Sequence, residues 1–439
     1  MTAPQRATPA ASDFTVARVS VWGQAVGAVA EDRAGTITFE YDDGFRQSGL
    51  ELSPVHLPLS LRGPVAFPEL QRSDAFAGLP GVLADCLPDA FGNAVIRRYF
   101  EQRGTPAAAL SPVQKLLYVG HRAMGALEFS PPLEGRSTRD SDEALQIARL
   151  VQEARRIIEG DTSVAVPEMM HVGASAGGAR AKALILWNRG HDRVKSAFAP
   201  LRAGDEPWII KFDGVTGGAG GHAMVKQFVP GPFGRIEYAY SQMATAAGID
   251  MSECHLLRDR AFAHFMTRRF DRGGDGASRI HMHSLGGMRH ADYNVRQILS
   301  YEDYFRTIRR LGMGQPAVDQ AFRRMVFNIA ARNQDDHVKN VAFLMGADGV
   351  WRLAPAFDVT WAYGGHWSIT HQMTARGKDD DFTREDLLAV GRAFDVPRDG
   401  AQILAEVDAS LGLWEPEAKD AGLDRAWIRR IGGLFRHFA

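Results

Sequence analysis

The octet Asn333-Gln334-Asp335-Asp336-His337-Val338-Lys339-Asn340 sets two acids, a histidine and a lysine between amides. Apolar residues at helical spacing lead into it, with Val318, Phe322, Met325, Val326 and Ile329 on one stripe. The apolar run Val341-Ala342-Phe343-Leu344-Met345 leaves it. A polar cluster between two core-like segments is the pattern of an active-site loop held on a scaffold. A capped helix end followed by a turn would look similar, so the octet needs other residues to carry a chemical reading.

Asp335 and Asn340 are five apart (340 − 335), the spacing of the protein-kinase catalytic loop, D-x-x-x-x-N. Asp358 follows 23 residues after Asp335 (358 − 335), behind the β-like Trp351-Arg352-Leu353. Within Ala354-Pro355-Ala356-Phe357-Asp358-Val359 it takes the place of the kinase DFG aspartate, with Phe before the acid and Val after it. No His-Arg pair precedes Asp335; His337 follows it by two and is read as orienting the loop rather than as the base. Asp336 is a second candidate acid, and the five-residue spacing favours Asp335. Phosphoryl transfer needs such an acid for the acceptor hydroxyl, oxygen ligands for Mg²⁺, cations on the phosphates and exclusion of water.

Upstream, His171 to Lys182 forms a Gly/Ser/Ala loop (Val172-Gly173-Ala174-Ser175-Ala176-Gly177-Gly178-Ala179) followed by Arg180 and Lys182 and then an apolar strand. Small residues let backbone N–H groups close on a phosphate, and the two cations add charge. The pattern is neither a Walker motif nor GxGxxG, and a flexible glycine hairpin is the plain alternative. Support comes at Trp208-Ile209-Ile210-Lys211-Phe212, where one lysine sits in an otherwise apolar strand. A buried ammonium needs an anionic partner, and kinases place a strand lysine against nucleotide phosphates; an edge-strand lysine facing solvent is the bland alternative. A helix is expected over 236–247 with Glu237 in its first turn. That position suits the helix dipole as well as it suits a kinase Lys–Glu pair, so Glu237 is given no site role.

Composition bounds the rest. At 439 residues the chain suggests two or three domains, and 45% hydrophobic with 23% charged residues is ordinary for a globular protein. A net charge of −1 supplies no global field toward nucleic acid. Two distant cysteines, Cys86 and Cys254, exclude a disulfide framework and fit a cytoplasmic location. No apolar run approaches the roughly 20 residues that span a bilayer. Residues 14–45 read as short antiparallel strands, 142–159 as a helix, and the chain beyond 295 as mostly helical with cap-like starts at Ser300 and Thr383. Residues 267–276 suit a hinge between a β-rich half and a helical half.

With these residues assembled, the chain resembles the HipA family of serine/threonine kinases, the toxins of bacterial toxin–antitoxin modules. The octet and Phe357-Asp358 match the family's catalytic and acidic motifs, Leu87-Pro88-Asp89 its L-P-D segment, and Gly177-Gly178-Ala179-Arg180-Ala181-Lys182 its G-G-A-R-x-K loop. The resemblance implies an α+β, two-lobed, protein-kinase-like fold. A disordered tail at 1–13 would precede an extra N-terminal subdomain at 14–135. A β-rich kinase N-lobe at 136–265 and a helical C-lobe at 266–439 would follow.

It further implies ATP and Mg²⁺ as cofactors, with Asp335 as catalytic acid, supported by His337 and Lys339. Asn340 and Asp358 would ligate the metal. Ser175, Gly177, Gly178, Lys182 and Lys211 would lie at the phosphates. Arg268 to Phe270 would form the hinge at adenine, with Asp271 near the ribose. Ser175 would be a regulatory autophosphorylation site. The partners implied are a helix-turn-helix antitoxin (HipB-like), operator DNA through that antitoxin only, and an aminoacyl-tRNA synthetase as protein substrate, with no membrane. His281-Met282-His283 departs from the best-known pattern; two alternating histidines without further ligands are read as structural. A small-molecule phosphotransferase and a non-catalytic co-repressor acting through an antitoxin remain the competing expectations.

Overall fold

A computed structural model describes residues 14–102, 110–133, 145, 147–159, 180–191, 193–213, 215, 231–259, 262–364 and 367–439. The tail 1–13 and the loop residues Ser175, Gly177 and Gly178 lie outside them.

The chain opens with β1 (Phe14–Val21), β2 (Gln24–Asp32) and β3 (Ile37–Tyr41). The period-two pattern of β1 turns Ala17, Val19 and Val21 inward. Helix α1 (Ala90–Gln102) and helix α2 (Pro112–Val119) follow. The Asp89 carboxylate accepts from the Gly92 N–H at 2.7 Å at the start of α1. A Ser111/Gln114 capping box starts α2. Strand β4 (Leu127–Ser130) completes an antiparallel sheet in the order β3-β2-β1-β4.

Helix α3 (Ile147–Glu159) leads to the N-lobe sheet. Its strands are β5 (Lys182–Asn188), β6 (Arg193–Ser196), β7 (Asp205–Lys211), β8 (Cys254–Asp259) and β9 (Phe262–Arg268), in the order β6-β5-β7-β9-β8. Every residue of β5 is buried. Phe91, Val95 and Ile96 of α1 and Leu150, Val151 and Ala154 of α3 form one core with Ile185, Trp187, Trp208 and Ile210. Helix α4 (Phe233–Ala246) packs on β8 and β9. Two-sided burial explains why β5 and the second half of β7 read as apolar runs rather than as alternating patterns. The sheet runs through Arg268, past residue 265.

Beyond the hinge come β10 (His281–Ser284), the short α5 (Leu285–Arg289), α6 (Tyr301–Arg310) and α7 (Gln315–Ala330). The strands β11 (Ala342–Met345) and β12 (Trp351–Leu353) pair with β10 in the order β10-β11-β12. Helices α8 (Arg384–Ala393), α9 (Ala401–Leu411), α10 (Trp414–Asp420) and α11 (Arg425–Gly432) finish the lobe. The capping boxes Ser300/Asp303 and Thr383/Asp386 stand where the sequence puts them. The stripe Val318, Phe322, Met325, Val326 and Ile329 of α7 is buried. Truncating a side chain such as Phe322 there would cost about 3–5 kcal/mol.

The N-terminal subdomain is tied to both sides of the hinge. Arg279 donates to the carbonyls of His121 and Ala123 and to Glu128. Asp85 accepts from His283 Nδ1, from the Ser284 amide and from the Ser284 hydroxyl, each at 2.7 Å. His283 Nε2 meets Ser53 Oγ at 3.1 Å, and His281 Nε2 donates to the Leu52 carbonyl at 2.9 Å. Both histidines are therefore engaged in domain contacts.

Candidate active site

The catalytic-type loop hangs from the C-terminus of α7. Arg332 turns the chain with φ +57°, and Asn333 anchors it by donating to Asn328 Oδ1 at 2.9 Å. The Gln334 amide donates to the Ala362 carbonyl at 3.0 Å. Neighbouring acids then diverge in environment. The Asp336 side chain is buried and accepts from the Tyr301 hydroxyl at 2.6 Å, His371 Nδ1 at 2.8 Å and the Gln372 amide at 2.7 Å. That saturation makes Asp336 a structural anchor.

The Asp335 side chain is 40% exposed, and its Oδ1 accepts from Trp367 Nε1 at 3.0 Å. His337 Nε2 lies 3.9 Å from the same oxygen. Asn340 Nδ2 donates to the Asp335 carbonyl at 2.9 Å, closing the five-residue loop and leaving its amide oxygen for another ligand. Lys339 holds its ammonium 5.2 Å from the Tyr293 ring centre. Its charge also acts on Asp85 and Asp89 of the N-terminal subdomain. Lys339 thus faces the subdomain contact as well as the loop.

Across the cleft, Lys211 ends β7 and is buried. Its ammonium bonds Glu237 Oε1 at 2.5 Å and also bonds Asp358 Oδ1. Burial would lower the Lys211 pKa, but Asp358 and Glu237 outweigh it and raise it. Burial would likewise push the Asp358 carboxyl up; the charges of Lys211 and Lys182 prevail and hold it below its ordinary value. Asp358 has φ +52°, a left-handed turn that aims the carboxylate back at the N-lobe. Arg180 Nη1 bonds the second Glu237 oxygen at 3.0 Å. In the sequence Glu237 reads as a first-turn residue suited to the helix dipole. The helix begins at Phe233, one turn earlier, and this places Glu237 against Lys211.

The remaining expected residues divide. Lys182, expected at phosphates, is buried and paired with Asp89 at 3.4 Å. Its charge still reaches Asp358. The Arg268 amide donates to the Glu253 carbonyl at 2.8 Å, and the Arg269 amide to the Pro207 carbonyl at 2.9 Å. Phe270 lies with Phe357, its ring centre 5.3 Å away, beside Ala342, Leu344 and Ala354. This apolar floor suits a flat base. The Asp271 carboxylate is fully buried and committed to Arg269 (2.9 and 2.8 Å), Arg272 (2.8 Å) and the Gly125 amide (2.7 Å). Burial opposes its ionisation, yet Arg269 and Arg272 hold it well below the usual carboxylate range. Its oxygens serve the tie between hinge and N-terminal subdomain rather than an open ribose site. Trp367 was not singled out in the sequence, since no motif marks it.

Asn340 and Asp358 line one cavity with Asn333, His337 and Phe357. Asn333 Oδ1 and His337 Nδ1 are buried there with no partner among the described residues. Hydrated Mg²⁺ satisfies such a donor set, because it takes one or two protein oxygens, keeps waters and completes its shell with phosphate. Among the described residues no group of three or more His, Cys, Asp or Glu forms a metal cage, and Mg²⁺ of this type needs none. The residues present fit the metal.

A β-sheet lobe bearing Lys211 and Glu237, a helical lobe bearing Asp335 and Asn340, and Asp358 between them define a two-lobed, kinase-like protein. The description of a HipA-like C-terminal domain matches residues 174–414, more than half of the chain, and that of a HipA N-terminal domain matches residues 17–130. The chain belongs to the HipA family. Among solved structures, HipA of Shewanella oneidensis MR-1, determined with HipB and its operator DNA, matches with TM-score 0.65 and 16% identity over 95% of each chain. That likeness is one of fold. The proinflammatory kinase CtkA of Helicobacter pylori covers 58% of this chain and 91% of its own at 11% identity, with TM-score 0.33, and carries no further argument. No curated protein matches the chain. No helix among the described residues is long and apolar enough to cross a membrane.

Proposed function

We propose that this chain is an ATP- and Mg²⁺-dependent serine/threonine protein kinase that acts as the toxin of a toxin–antitoxin module. The observation that carries the proposal is the Lys211 ammonium held between Glu237 and Asp358, across the cleft from Asp335 and Asn340. This is the arrangement phosphoryl transfer requires: a fixed cation at the phosphates, oxygens for a metal, and an exposed acid where the acceptor hydroxyl arrives.

In this mechanism Lys211 moves from Asp358 to the nucleotide phosphates while Glu237 keeps it oriented. Asp358 and the Asn340 amide oxygen would hold Mg²⁺, which when bound would supply positive charge to offset that of the phosphates. Asp335 accepts the proton of a serine or threonine hydroxyl, and His337 and Asn340 keep the loop in place. Ser175 is the regulatory acceptor in the glycine loop; a phosphate there adds negative charge that repels nucleotide phosphates. The protein substrate is an aminoacyl-tRNA synthetase, and a helix-turn-helix antitoxin is the neutralising partner, as HipB accompanies the Shewanella HipA. The setting is cytoplasmic.

Purified protein incubated with labelled ATP and Mg²⁺ should incorporate phosphate on serine. Asp335→Asn should abolish it. Nucleotide binding without transfer in the wild type, at any Mg²⁺ concentration, would overturn the proposal.

A further inference from the structure

Asp335 is held by a residue from a segment 32 positions downstream. Trp367 Nε1 donates to its Oδ1 at 3.0 Å. Among the described residues, the other oxygen accepts no hydrogen bond. The indole is itself positioned from the catalytic-type loop. Gln372 Nε2 donates to the Trp367 carbonyl at 2.9 Å and to the Gln334 carbonyl at 3.2 Å. The Gln372 amide donates to Asp336 Oδ1 at 2.7 Å. The connections therefore form a closed circuit: buried Asp336 fixes Gln372, Gln372 fixes Trp367, and Trp367 fixes the exposed carboxylate of Asp335.

A half-exposed aspartate left alone rotates about its terminal torsion, since that torsion is broad. A base that must meet an acceptor hydroxyl within hydrogen-bond reach loses rate for each misaligned rotamer. One N–H donor on one oxygen removes that freedom and leaves the second oxygen to receive the proton. Tryptophan suits the task because its indole N–H only donates and its ring is rigid.

We propose that Trp367 is a positioning residue for Asp335, selecting the oxygen that takes the acceptor proton. This rests on the kinase reading above.

The test uses the full chain, ATP·Mg²⁺ and dephosphorylated casein as acceptor, comparing wild type with Trp367→Phe. Phenylalanine keeps a ring and loses the donor. We expect kcat to fall by about 10- to 100-fold, with nucleotide affinity measured by calorimetry unchanged. A merely structural role would move affinity and thermal midpoint together with rate. In parallel, the ¹⁵N indole resonance that disappears in Trp367→Phe should shift in Asp335→Ala. An active wild type with an unchanged Trp367→Phe rate overturns the role, as does an indole resonance that ignores Asp335→Ala. A wild type that binds nucleotide and transfers no phosphate sinks the kinase reading itself, and the positioning role with it.

Discussion

Lys182 and Lys211 stand directly opposite each other across β5 and β7, and each is neutralised by an acid from a different part of the chain. Lys182 pairs with Asp89 of the N-terminal subdomain, and Lys211 with Glu237 of α4 and Asp358 beyond the hinge. Like charges facing across an antiparallel pair repel, so the two partners are conditions of the sheet as well as of the site. The N-terminal subdomain is thereby linked to Lys211 through one cross-strand step.

Glu237→Gln should leave Lys211 free to swing to Asp358 alone. The expected outcome is a ten- to hundredfold loss in kcat/KM for ATP, equivalent to about 1.4–2.7 kcal/mol. Asp89→Asn takes the ion-pair partner from the buried Lys182 ammonium and leaves only the more distant Asp358 charge, at a cost of about 1–3 kcal/mol. Steady-state kinetics and thermal melts separate the two effects: a Glu237→Gln enzyme with unchanged kcat/KM contradicts the first, and an Asp89→Asn melt that matches wild type contradicts the second.

The neighbouring acids of the octet should respond oppositely. Asp335→Asn is expected to lower phosphotransfer at least a hundredfold with little change in melting temperature, because the side chain is exposed and lightly bonded. Asp336→Asn turns one of the two buried oxygens that together accept three hydrogen bonds into an NH2 donor facing other donors, and should destabilise the fold by about 1–3 kcal/mol. Circular-dichroism melts beside activity assays decide it; equal melting temperatures for the two variants would contradict the division of roles.

The crossing of the 81–84 turn and α5 depends on two glycines. A Cβ on Gly81 would lie 1.9 Å from the Gly287 carbonyl oxygen, and one on Gly287 would lie 2.4 Å from Asp85 Oδ2. Gly81→Ala must push the N-terminal subdomain off the C-lobe, and a cost of about 1–3 kcal/mol is expected. Urea unfolding and limited proteolysis would register it. A variant as stable and as protease-resistant as wild type would show that the contact is slack.

Acid should loosen the same interface. Burial first, and then the nearby charge of His283, brings the His281 pKa down to about 4. Burial, with His56 and His283, brings His290 down to about 3. His290 Nε2 accepts from the Gly81 amide at 3.1 Å, a bond that protonation of that nitrogen would break. Both histidines are neutral in the fold and titrate near 6.5 when unfolded, so the unfolded chain binds more protons below that pH. Stability is therefore expected to fall as pH drops below about 6.5, by about 2 kcal/mol from His281 at pH 5. Urea midpoints at pH 7 and 5 measure it, and His281→Gln should remove about half of the response, His290 supplying the rest. A midpoint insensitive to pH in the wild type contradicts the assignment.

Much of this protein was legible in its residues because the signals are local. Asp335 and Asn340 are joined by a hydrogen bond across their own five-residue turn, so their spacing alone carries the motif. The stripe of α7 and the boxes at Ser300 and Thr383 depend on periodicity and on contacts three residues apart. The partners of those residues were not legible. Glu237 was misplaced by one helical turn, because the start at Phe233 carries no side-chain cap to mark it. Asp271 carries no sign in its sequence neighbourhood that Gly125 would take one of its oxygens. Sequence also places Lys182 near phosphate, where cross-strand register and Asp89 give it a buried counter-ion instead. Local order along the chain thus determined which residues could do chemistry. The tertiary structure alone decided which of two adjacent aspartates is left exposed, because burial of Asp336 and the reach of Trp367 to Asp335 both come from a segment more than thirty residues away.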